Sequence, residues 1–406
     1  MRFTRIRIKN FKSIEDLELR DIEDALILVG KNNTGKTSVL DAIRTMTGAR
    51  QVRPGDFDET FKNIEIEVEL EITREDLAVF HSRGAVSAYK RYALWEQDVR
   101  KRLPSFVENV LSFTCVINHD GVRRLNDGYR KHNKYIDEMM PRLHYIDTER
   151  DMEQLQSDLL LAQARQMRRE ARTDSCIFDS AKTCRHCFQC IGLINQKRPE
   201  ELSLMETSRL MEYKMDQLNL ERFTSRLNEN FRKNGGLEEI IYSLNWNPEE
   251  IFKVQAQIYS GDRGRTGGVE SMSRGMKSIY MLSLLETYSE EKDQLPSIIL
   301  VEYPEMFLHP QLQKVAGEIL YRLSKKNQVI FSTHSPHLIF NFSSRQIRQV
   351  VLDGSFRPAI REKTDLSDIL DDLGYGAEDL MNVSFVFFVE GKQDKSRLPM
   401  LLEKYY

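Results

Sequence analysis

The stretch ALILVGKNNTGKTSVLDAIR, residues 25–44, decides the fold of this chain. Its centre, GKNNTGKTS at residues 30–38, fits the phosphate-loop pattern G-x-x-x-x-G-K-T. An apolar run precedes the loop and a helix-favouring stretch follows it, which is the context that the pattern requires and that a chance glycine-rich turn would lack. Glycine permits a sharp turn that aims backbone N–H groups inward, and the next helix adds the positive end of its dipole. The stretch therefore predicts an α/β P-loop domain.

The residue types in this loop predict individual roles. Lys36 would reach the β- and γ-phosphates of a bound nucleotide, and the Thr37 hydroxyl would bind Mg²⁺. The predicted nucleotide-binding residues of the loop are Gly30, Asn33, Gly35, Lys36, Thr37 and Ser38.

Composition indicates a globular chain with room for several domains. Of 406 residues, 40% are hydrophobic and 30% charged, and one domain takes about 100–200 residues. No apolar run approaches the roughly 20 residues that span a membrane, and the amino terminus lacks the apolar core of a signal peptide, so a cytoplasmic protein without membrane contact is expected. The net charge of −3 gives no global attraction to DNA, so any nucleic-acid contact would need a local cluster of Lys and Arg.

Alternating side chains predict strands in the first part of the chain. Residues 3–8 alternate apolar and basic residues, and residues 64–72 alternate apolar residues with glutamate. Residues 106–118 predict a further strand, with a hairpin turn at Gly121. The basic stretch 100–102 could contact phosphate, although a solvated helix face is the preferred interpretation.

A cysteine cluster lies within a long helix-favouring segment. Charged, Leu- and Met-rich sequence at residues 151–172 and 200–231 predicts two arms of a helical hairpin inserted into the α/β domain. Between the arms, the spacing C-x7-C-x2-C-x2-C resembles that of tetrahedral Zn²⁺ sites, and reduced cysteines that merely pack are the alternative. The predicted Zn²⁺ ligands are Cys176, Cys184, Cys187 and Cys190.

The chain after this insertion contains a second set of phosphate-binding signals. Ser273 and Gly275 stand at the start of an apolar helix, where backbone N–H groups and the serine hydroxyl could hold a γ-phosphate. A short apolar strand at residues 297–302 ends in Glu302, where a P-loop protein places the carboxylate that orients Mg²⁺. His334, after a strand at residues 328–332, could bond a γ-phosphate or an attacking water, or alternatively be a core histidine.

Taken together, these motifs resemble the ABC-type ATPases, specifically the branch with the OLD (overcoming lysogenization defect) nucleases and relatives of the SMC-like DNA-repair ATPases. The resemblance implies ATP and Mg²⁺ as cofactors, and two heads that sandwich two nucleotides, each signature serine facing the other subunit's phosphate loop. A homodimer or higher homo-oligomer is therefore expected. The family's glutamine loop corresponds to residues 145–150, although no glutamine stands there. The matching residues are Gly30, Gly35, Lys36 and Thr37 in the phosphate loop, Ser273 and Gly275 in the signature motif, Glu302 at the acidic strand end, and the switch histidine His334.

The chain departs from the family at the position of the general base. Where the family has acid-Glu-Pro-Glu, this chain reads Glu302-Tyr303-Pro304-Glu305. Tyrosine, with a pKa of about 10, is a poor base at neutral pH. Either Glu305 or His334 acts as the general base instead, or turnover is slow and ATP acts mainly as a dimer clamp. The alternative is that tyrosine is a tolerated variant at this position and turnover is near normal. The predicted catalytic residues are Lys36, Glu302, Glu305 and His334.

The last residues resemble the opening of the Toprim nuclease domain that follows the ATPase head in OLD proteins. Residues 383–394 read VSFVFFVEGKQD, in which Glu390 would contribute to a Toprim metal site. Two-metal cleavage also needs a later Asp-x-Asp pair of carboxylates, and the sequence ends at Tyr406 without one. Nuclease activity is therefore not assigned to this chain.

The predicted organisation follows from these motifs. Residues 1–150 and 236–382 form the two lobes of the ATPase head, residues 151–235 the inserted hairpin with its zinc tip, and residues 383–406 the start of a Toprim-like domain. The predicted function is an OLD-like ABC-class ATPase in a DNA-directed, anti-phage defence system. The alternative is a non-catalytic nucleotide switch or scaffold that recruits a separate effector protein, and a membrane-transporter ATPase is a more distant third.

Overall fold

The computed structural model describes residues 1–57, 62–149, 188–216, 257–260, 265–268, 271–290, 295–361, 368–370 and 373–374. The chain divides into two compact units. The first comprises Met1–Arg150 and Ser273–Tyr406, and the second Asp151–Met272. The predicted Toprim segment with Glu390 lies outside the described residues.

The described residues form both α-helices and β-strands. The strands are β1 (Arg2–Phe11), β2 (Ile14–Leu19), β3 (Ala25–Val29), β4 (Ile64–Glu71), β5 (Phe106–Val107), β6 (Val110–Ile117), β7 (Arg123–Asn126), β8 (Leu143–Ile146), β9 (Gln257–Ser260), β10 (Arg265–Gly268), β11 (Ile298–Glu302), β12 (Gln328–Ser332), β13 (Ile347–Leu352) and β14 (Pro358–Arg361). The α-helices are α1 (Lys36–Met46), α2 (Arg74–Ser82), α3 (Tyr92–Arg102), α4 (Tyr135–Glu138), α5 (Ile191–Ile194), α6 (Leu204–Asp216), α7 (Arg274–Glu290), α8 (Pro310–Ser324) and α9 (Pro336–Ile339). Short 3-10 helices occur at Pro54–Asp56, Pro199–Glu201 and Ser344–Gln346.

An antiparallel sheet forms one layer of the first unit. Its strand order is β2-β1-β4-β6-β5, with β7 paired to β6. The alternation predicted for β4 is confirmed, because its isoleucine, valine and leucine side chains are buried while each glutamate is half-buried. The prediction of one strand over residues 106–118 is wrong: a turn with Glu108 at φ 52° separates β5 from β6, and the two strands pair with each other.

A mostly parallel sheet forms the second layer and positions the site. Its order is β14-β13-β3-β12-β11-β8, in which only β14 runs antiparallel to its neighbour. Every residue of β3, β11 and β12 is buried, as expected for central strands covered on both faces. Because the carboxyl ends of parallel strands meet at one edge, the loops after β3, β8, β11 and β12 converge there.

A buried glutamine joins the two sheets. Gln328, the first residue of β12, accepts a hydrogen bond from the Phe3 backbone N–H of β1 at 2.8 Å. Its amide nitrogen donates to the Phe3 carbonyl at 2.8 Å and to the Glu23 carbonyl at 2.9 Å. The two contacts with Phe3 satisfy buried backbone groups of β1, and the third satisfies a partly buried carbonyl just before β3.

The second unit is described in part. Helix α6 lies in the range predicted for the second arm of the hairpin, and β9 pairs antiparallel with β10. Cys190 is buried beside Ile191 and Ile194, with the rings of Phe188 and Tyr213 nearby. The other three predicted zinc ligands, Cys176, Cys184 and Cys187, lie outside the described residues. Among the helices that the structure describes, none is long and apolar enough to cross a membrane.

Candidate functional site

The phosphate loop between β3 and α1 has a backbone that glycine permits. Gly30 has φ +146° and Gly35 has φ +100°, and Asn33 between them has φ 60°. A Cβ on Gly30 would lie 2.2 Å from the Val350 carbonyl oxygen of the neighbouring strand β13. A side chain at Gly30 would therefore clash with fixed backbone, which explains why the loop begins with glycine.

Lys36, the first residue of α1, holds its amino group inside this loop. Its Nζ donates hydrogen bonds to the carbonyl oxygens of Gly30 at 2.8 Å and Lys31 at 2.7 Å. Burial lowers the pKa of Lys36 to about 8, although the Glu305 carboxylate acts in the opposite direction. A desolvated cation at a helix N-terminus suits the binding of a phosphate anion.

Glu302 ends β11 beside Thr37. Burial raises the pKa of this carboxyl, and the Asp41 carboxylate adds to the effect. Hydrogen bonds with the side chains of Thr37 and Tyr145 lower it in part. A hydroxyl and a carboxylate are the hard oxygen ligands that Mg²⁺ prefers, so the side chains of Thr37 and Glu302 fit a Mg²⁺ site.

A network of charges supports this position from the α1 side. Asp41 accepts hydrogen bonds from Lys12 Nζ at 2.6 Å and Arg44 Nη1 at 2.9 Å. The Arg44 guanidinium carbon lies 3.6 Å from the centroid of the Tyr145 ring, which holds that ring by a cation–π contact. The sequence predicted Tyr145 only as part of the region that matches the family's glutamine loop. Its hydrogen bond to Glu302 was not predicted, because nothing in the local sequence indicates it.

Tyr303 occupies the position where the family carries its general base. It has φ 43°, and its ring stacks on the His334 imidazole with centroids 5.3 Å apart and an interplanar angle of 9°. Lys36 Nζ lies 5.9 Å from the Tyr303 ring centroid. Burial raises the pKa of Tyr303, with Glu302 and Glu305 acting in the same direction. The phenol is therefore protonated at neutral pH and cannot accept a proton from water.

His334 and Glu305 are joined by a hydrogen bond beside this ring. The His334 backbone N–H donates to Glu305 Oε1 at 2.7 Å, which fixes the loop after β12 against the turn after β11. Burial, with a smaller contribution from Lys36, lowers the pKa of His334. Its Nε2 is buried and has no hydrogen-bond partner among the described residues. A neutral imidazole with one unused polar atom can bond a phosphate oxygen or a water.

The signature residues stand at the start of α7. Ser273 is exposed, and its Oγ accepts the Met276 backbone N–H at 3.4 Å. Gly275 is buried, and a Cβ there would lie 2.6 Å from the Phe307 carbonyl oxygen, so the helix packs directly on the turn that follows β11. Phe307, with φ 64° and half its surface exposed, is a contact that the sequence reasoning missed.

The predicted site residues thus fall into three groups. The structure brings the first group together around the phosphate loop. The second group is Ser273 and Gly275, which make no hydrogen bond or ion pair to that loop within the described part of the chain. The zinc ligands other than Cys190, and the Toprim residue Glu390, lie outside the described residues. The residues brought together are Gly30, Asn33, Gly35, Lys36, Thr37, Ser38, Glu302, Glu305 and His334.

The chain is similar to a known protein family and to a curated protein. The family model described as AAA ATPase domain matches residues 1–339. An OLD nuclease of Thermus scotoductus (strain ATCC 700910 / SA-01) is 23% identical over 344 residues, which cover 82% of this chain and 58% of that protein. The chain thus spans little more than half the length of this curated relative.

Solved structures with similarity to the chain include two SMC head domains. One, from Thermotoga maritima, is 14% identical with a TM-score of 0.44, and the match covers 90% of this chain and 100% of that one. Another is the Smc head domain with an extended coiled coil bound to the C-terminal domain of ScpA, from Pyrococcus furiosus. It is 13% identical with a TM-score of 0.46, over 88% of this chain and 95% of that one.

The family match and the curated relative confirm the predicted resemblance to OLD-like ABC-type ATPases. Membership of an ATPase family implies ATP and Mg²⁺ as cofactors. The loop that holds Lys36 fits the binding of a nucleotide, and the Glu302 carboxylate beside Thr37 fits the binding of its metal ion. The chain belongs to the AAA ATPase domain family and resembles the OLD-like ATPases.

Proposed function

We propose that this chain is a slow ATPase that binds Mg-ATP between two copies of itself and uses the bound nucleotide mainly as a dimer clamp. The observation that carries the proposal is the stacked Tyr303, which occupies the position of the general base. Removing a general base typically slows a reaction by about 10²–10⁴-fold. Binding of ATP depends on Lys36 and Thr37, which this substitution leaves in place.

Two features support the paired arrangement. Ser273 is exposed at the N-terminus of α7, where backbone N–H groups are available to an anion. Within the described residues, Ser273 makes no hydrogen bond to the phosphate loop of its own chain. A second copy would bring its serine to the nucleotide, as the family resemblance implies. The proposed partner is therefore another copy of this chain.

The proposed setting is DNA-directed, anti-phage defence. Its support is the similarity to a protein named OLD nuclease, of which this chain spans 58% of the length. A Zn²⁺ site at Cys176, Cys184, Cys187 and Cys190 and a Toprim contribution from Glu390 remain proposals on sequence grounds. The second candidate function, a non-catalytic switch that recruits a separate effector, is favoured by the same tyrosine, because binding without turnover suffices for a switch.

Steady-state ATP hydrolysis and Mg-ATP affinity of four proteins test this proposal. Wild type should bind Mg-ATP and turn over slowly. Lys36→Ala should lose both, because the phosphate-binding cation is gone. Tyr303→Glu supplies a carboxylate at the base position and should raise kcat by about 10²-fold, the lower range of general-base effects. Tyr303→Phe keeps the ring stack without the hydroxyl and should match wild type.

Fast wild-type turnover that Tyr303→Glu does not increase would contradict the clamp. Glu305→Gln and His334→Ala would then identify the substitute base. Binding without measurable turnover, even in Tyr303→Glu, would instead favour the switch over the enzyme.

A further inference from the structure

We infer that the loop of residues 127–134, called here the basic loop, is a contact surface for single-stranded polynucleotide. Tyr129 would stack an unpaired base, and Arg130 and Lys131 would bind the phosphodiester backbone. The inference rests on the DNA-directed role proposed above and gives that role a location.

Local charge opposes the charge of the whole chain. Residues 122–135 carry five cations and a single carboxylate, Asp127, which is buried, whereas the chain as a whole has a net charge of −3. Arg123 is engaged by Asp137 at 2.6 Å. The other four cations are exposed, and among the described residues no carboxylate forms an ion pair with them. They are Arg124, Arg130, Lys131 and Lys134.

The buried carboxylate gives the basic loop a defined shape. Asp127 accepts hydrogen bonds from the backbone N–H groups of Tyr129 at 3.0 Å and Arg130 at 2.6 Å, and from Asn133 Nδ2 at 2.7 Å. Asn133 Nδ2 also donates to the Arg102 carbonyl at 2.7 Å, which ties the loop to the end of α3. The polar interior of the loop is thereby satisfied, while its cations are exposed.

Tyr129 makes a polynucleotide the preferred partner over an acidic protein. Its side chain is 73% exposed although the loop beneath it is tightly bonded. Cations alone would serve an acidic peptide equally well, but an exposed aromatic ring among cations is the arrangement that stacks bases and follows a phosphate backbone. Bases in a duplex are already stacked on one another, so a free ring favours a single strand.

The strand that leads into the basic loop, β7, meets α1 at the end opposite to the nucleotide site. Arg123 Nε donates to the carbonyl of Met46, the last residue of α1, whose first residue is Lys36. A helix rises by about 1.5 Å per residue, so these two residues lie roughly 15 Å apart. Substitutions in the basic loop should therefore leave Mg-ATP binding unchanged.

Fluorescence anisotropy of the full chain with labelled oligonucleotides tests the inference. The probes are single-stranded DNA, single-stranded RNA and duplex DNA of one sequence and about 20 nucleotides, longer than the roughly 4–16 that one module covers. The variants are Tyr129→Ala, Tyr129→Phe and the double variant Arg130→Gln/Lys131→Gln. Matched controls are Phe356→Ala, which removes a ring that is 82% exposed elsewhere, and Lys325→Gln/Lys326→Gln, which removes two exposed cations.

Tyr129→Ala should weaken single-strand binding by about five- to 100-fold, the effect of losing one base stack, and Tyr129→Phe should retain most of it. The double glutamine variant should reduce the slope of log K against log salt by about 1.4, from two lost phosphate contacts. Both control variants should match wild type. The stronger of the DNA and RNA probes identifies the natural strand.

Several results would overturn the inference. If the chain binds single strands but Tyr129→Ala behaves like Phe356→Ala, the basic loop is not the contact, although the DNA-directed role stands. The surface is an unspecific patch of cations if duplex DNA binds with the same affinity as single strands and Tyr129→Ala does not change that affinity. The same conclusion follows if poly-glutamate of equal charge displaces the single-stranded probe. If no polynucleotide binds, the DNA-directed role fails too, while Mg-ATP affinity of the same preparations still reports on the proposed ATPase.

Discussion

At the scale of single residues, Lys36 shows how burial prepares a cation for its ligand. Its pKa falls from 10.5 to about 8, because the amino group loses water and gains only two carbonyl partners. Between these two pH values the unfolded chain binds more protons than the folded one, so this residue's contribution to stability rises with pH across that window. Below pH 8 the buried ammonium destabilises the folded chain, and a bound phosphate would offset that cost.

The same shift predicts the pH dependence of nucleotide binding. Only protonated Lys36 attracts phosphate, so the dissociation constant of Mg-ATP should rise by about tenfold between pH 7 and pH 9. Well above the pKa of Lys36, the dissociation constant should rise by about tenfold for each pH unit. Isothermal titration calorimetry at several pH values measures this. Lys36→Arg is the matched control, because a guanidinium stays charged throughout and its affinity should stay flat. Parallel curves for the two proteins would contradict the assignment to Lys36.

At the scale of elements, the site is assembled from the carboxyl ends of parallel strands. Strand β3 leads into the phosphate loop, β11 ends in Glu302 and leads to Tyr303, and β12 leads to His334. In the sheet, β12 lies between β3 and β11. The positions of the catalytic side chains therefore depend on how firmly β12 is held.

Gln328 should be one of the strongest anchors of β12. Gln328→Ala removes the partner of three backbone groups, of which those of Phe3 are buried, and should lower the free energy of unfolding by roughly 2–4 kcal/mol. Urea unfolding followed by circular dichroism measures the change. Gln346→Ala is the matched control, since its amide bonds an exposed backbone group and should cost about 0.5 kcal/mol or less. Equal losses in both variants would show that the link between the sheets carries little stability.

At the scale of the whole molecule, the proposed clamp requires two chains to share each nucleotide. Lys36 and Thr37 would come from one copy and Ser273 from the other. Light scattering should therefore find a dimer in wild type with Mg-ATP. A variant that damages either half of the shared site should remain a monomer.

A mixing experiment distinguishes sharing from simple association. The Lys36→Ala variant should not bind the nucleotide. The Ser273→Arg variant places a bulky cation in the signature motif, where the phosphate loop of the second copy would contact it. Neither alone should dimerise with Mg-ATP, but their mixture contains one intact composite site and should form a heterodimer. Dimers of Ser273→Arg alone, or no dimer in the mixture, would exclude the shared arrangement. Wild type without nucleotide is the control for nucleotide-independent association.

The sequence by itself determined the features that depend on local chain geometry. The phosphate loop, the alternation of β4 and the acidic end of β11 follow from glycine conformations and from the period of two along a strand, so short stretches predict them. The break at Glu108 escaped prediction, because the residues on both sides favour strand equally well.

Only the tertiary structure decided which distant residues meet. Strand β12 pairs with β3 across some 300 residues of chain and with β11 on its other side. These pairings bring Tyr303 into contact with His334 and place its ring near Lys36. In the same way Asn133 reaches the end of α3 and Tyr145 reaches Glu302. Such contacts depend on strand order and layer packing, which are set by the burial of the whole chain and leave no signal in the spacing of neighbouring residues.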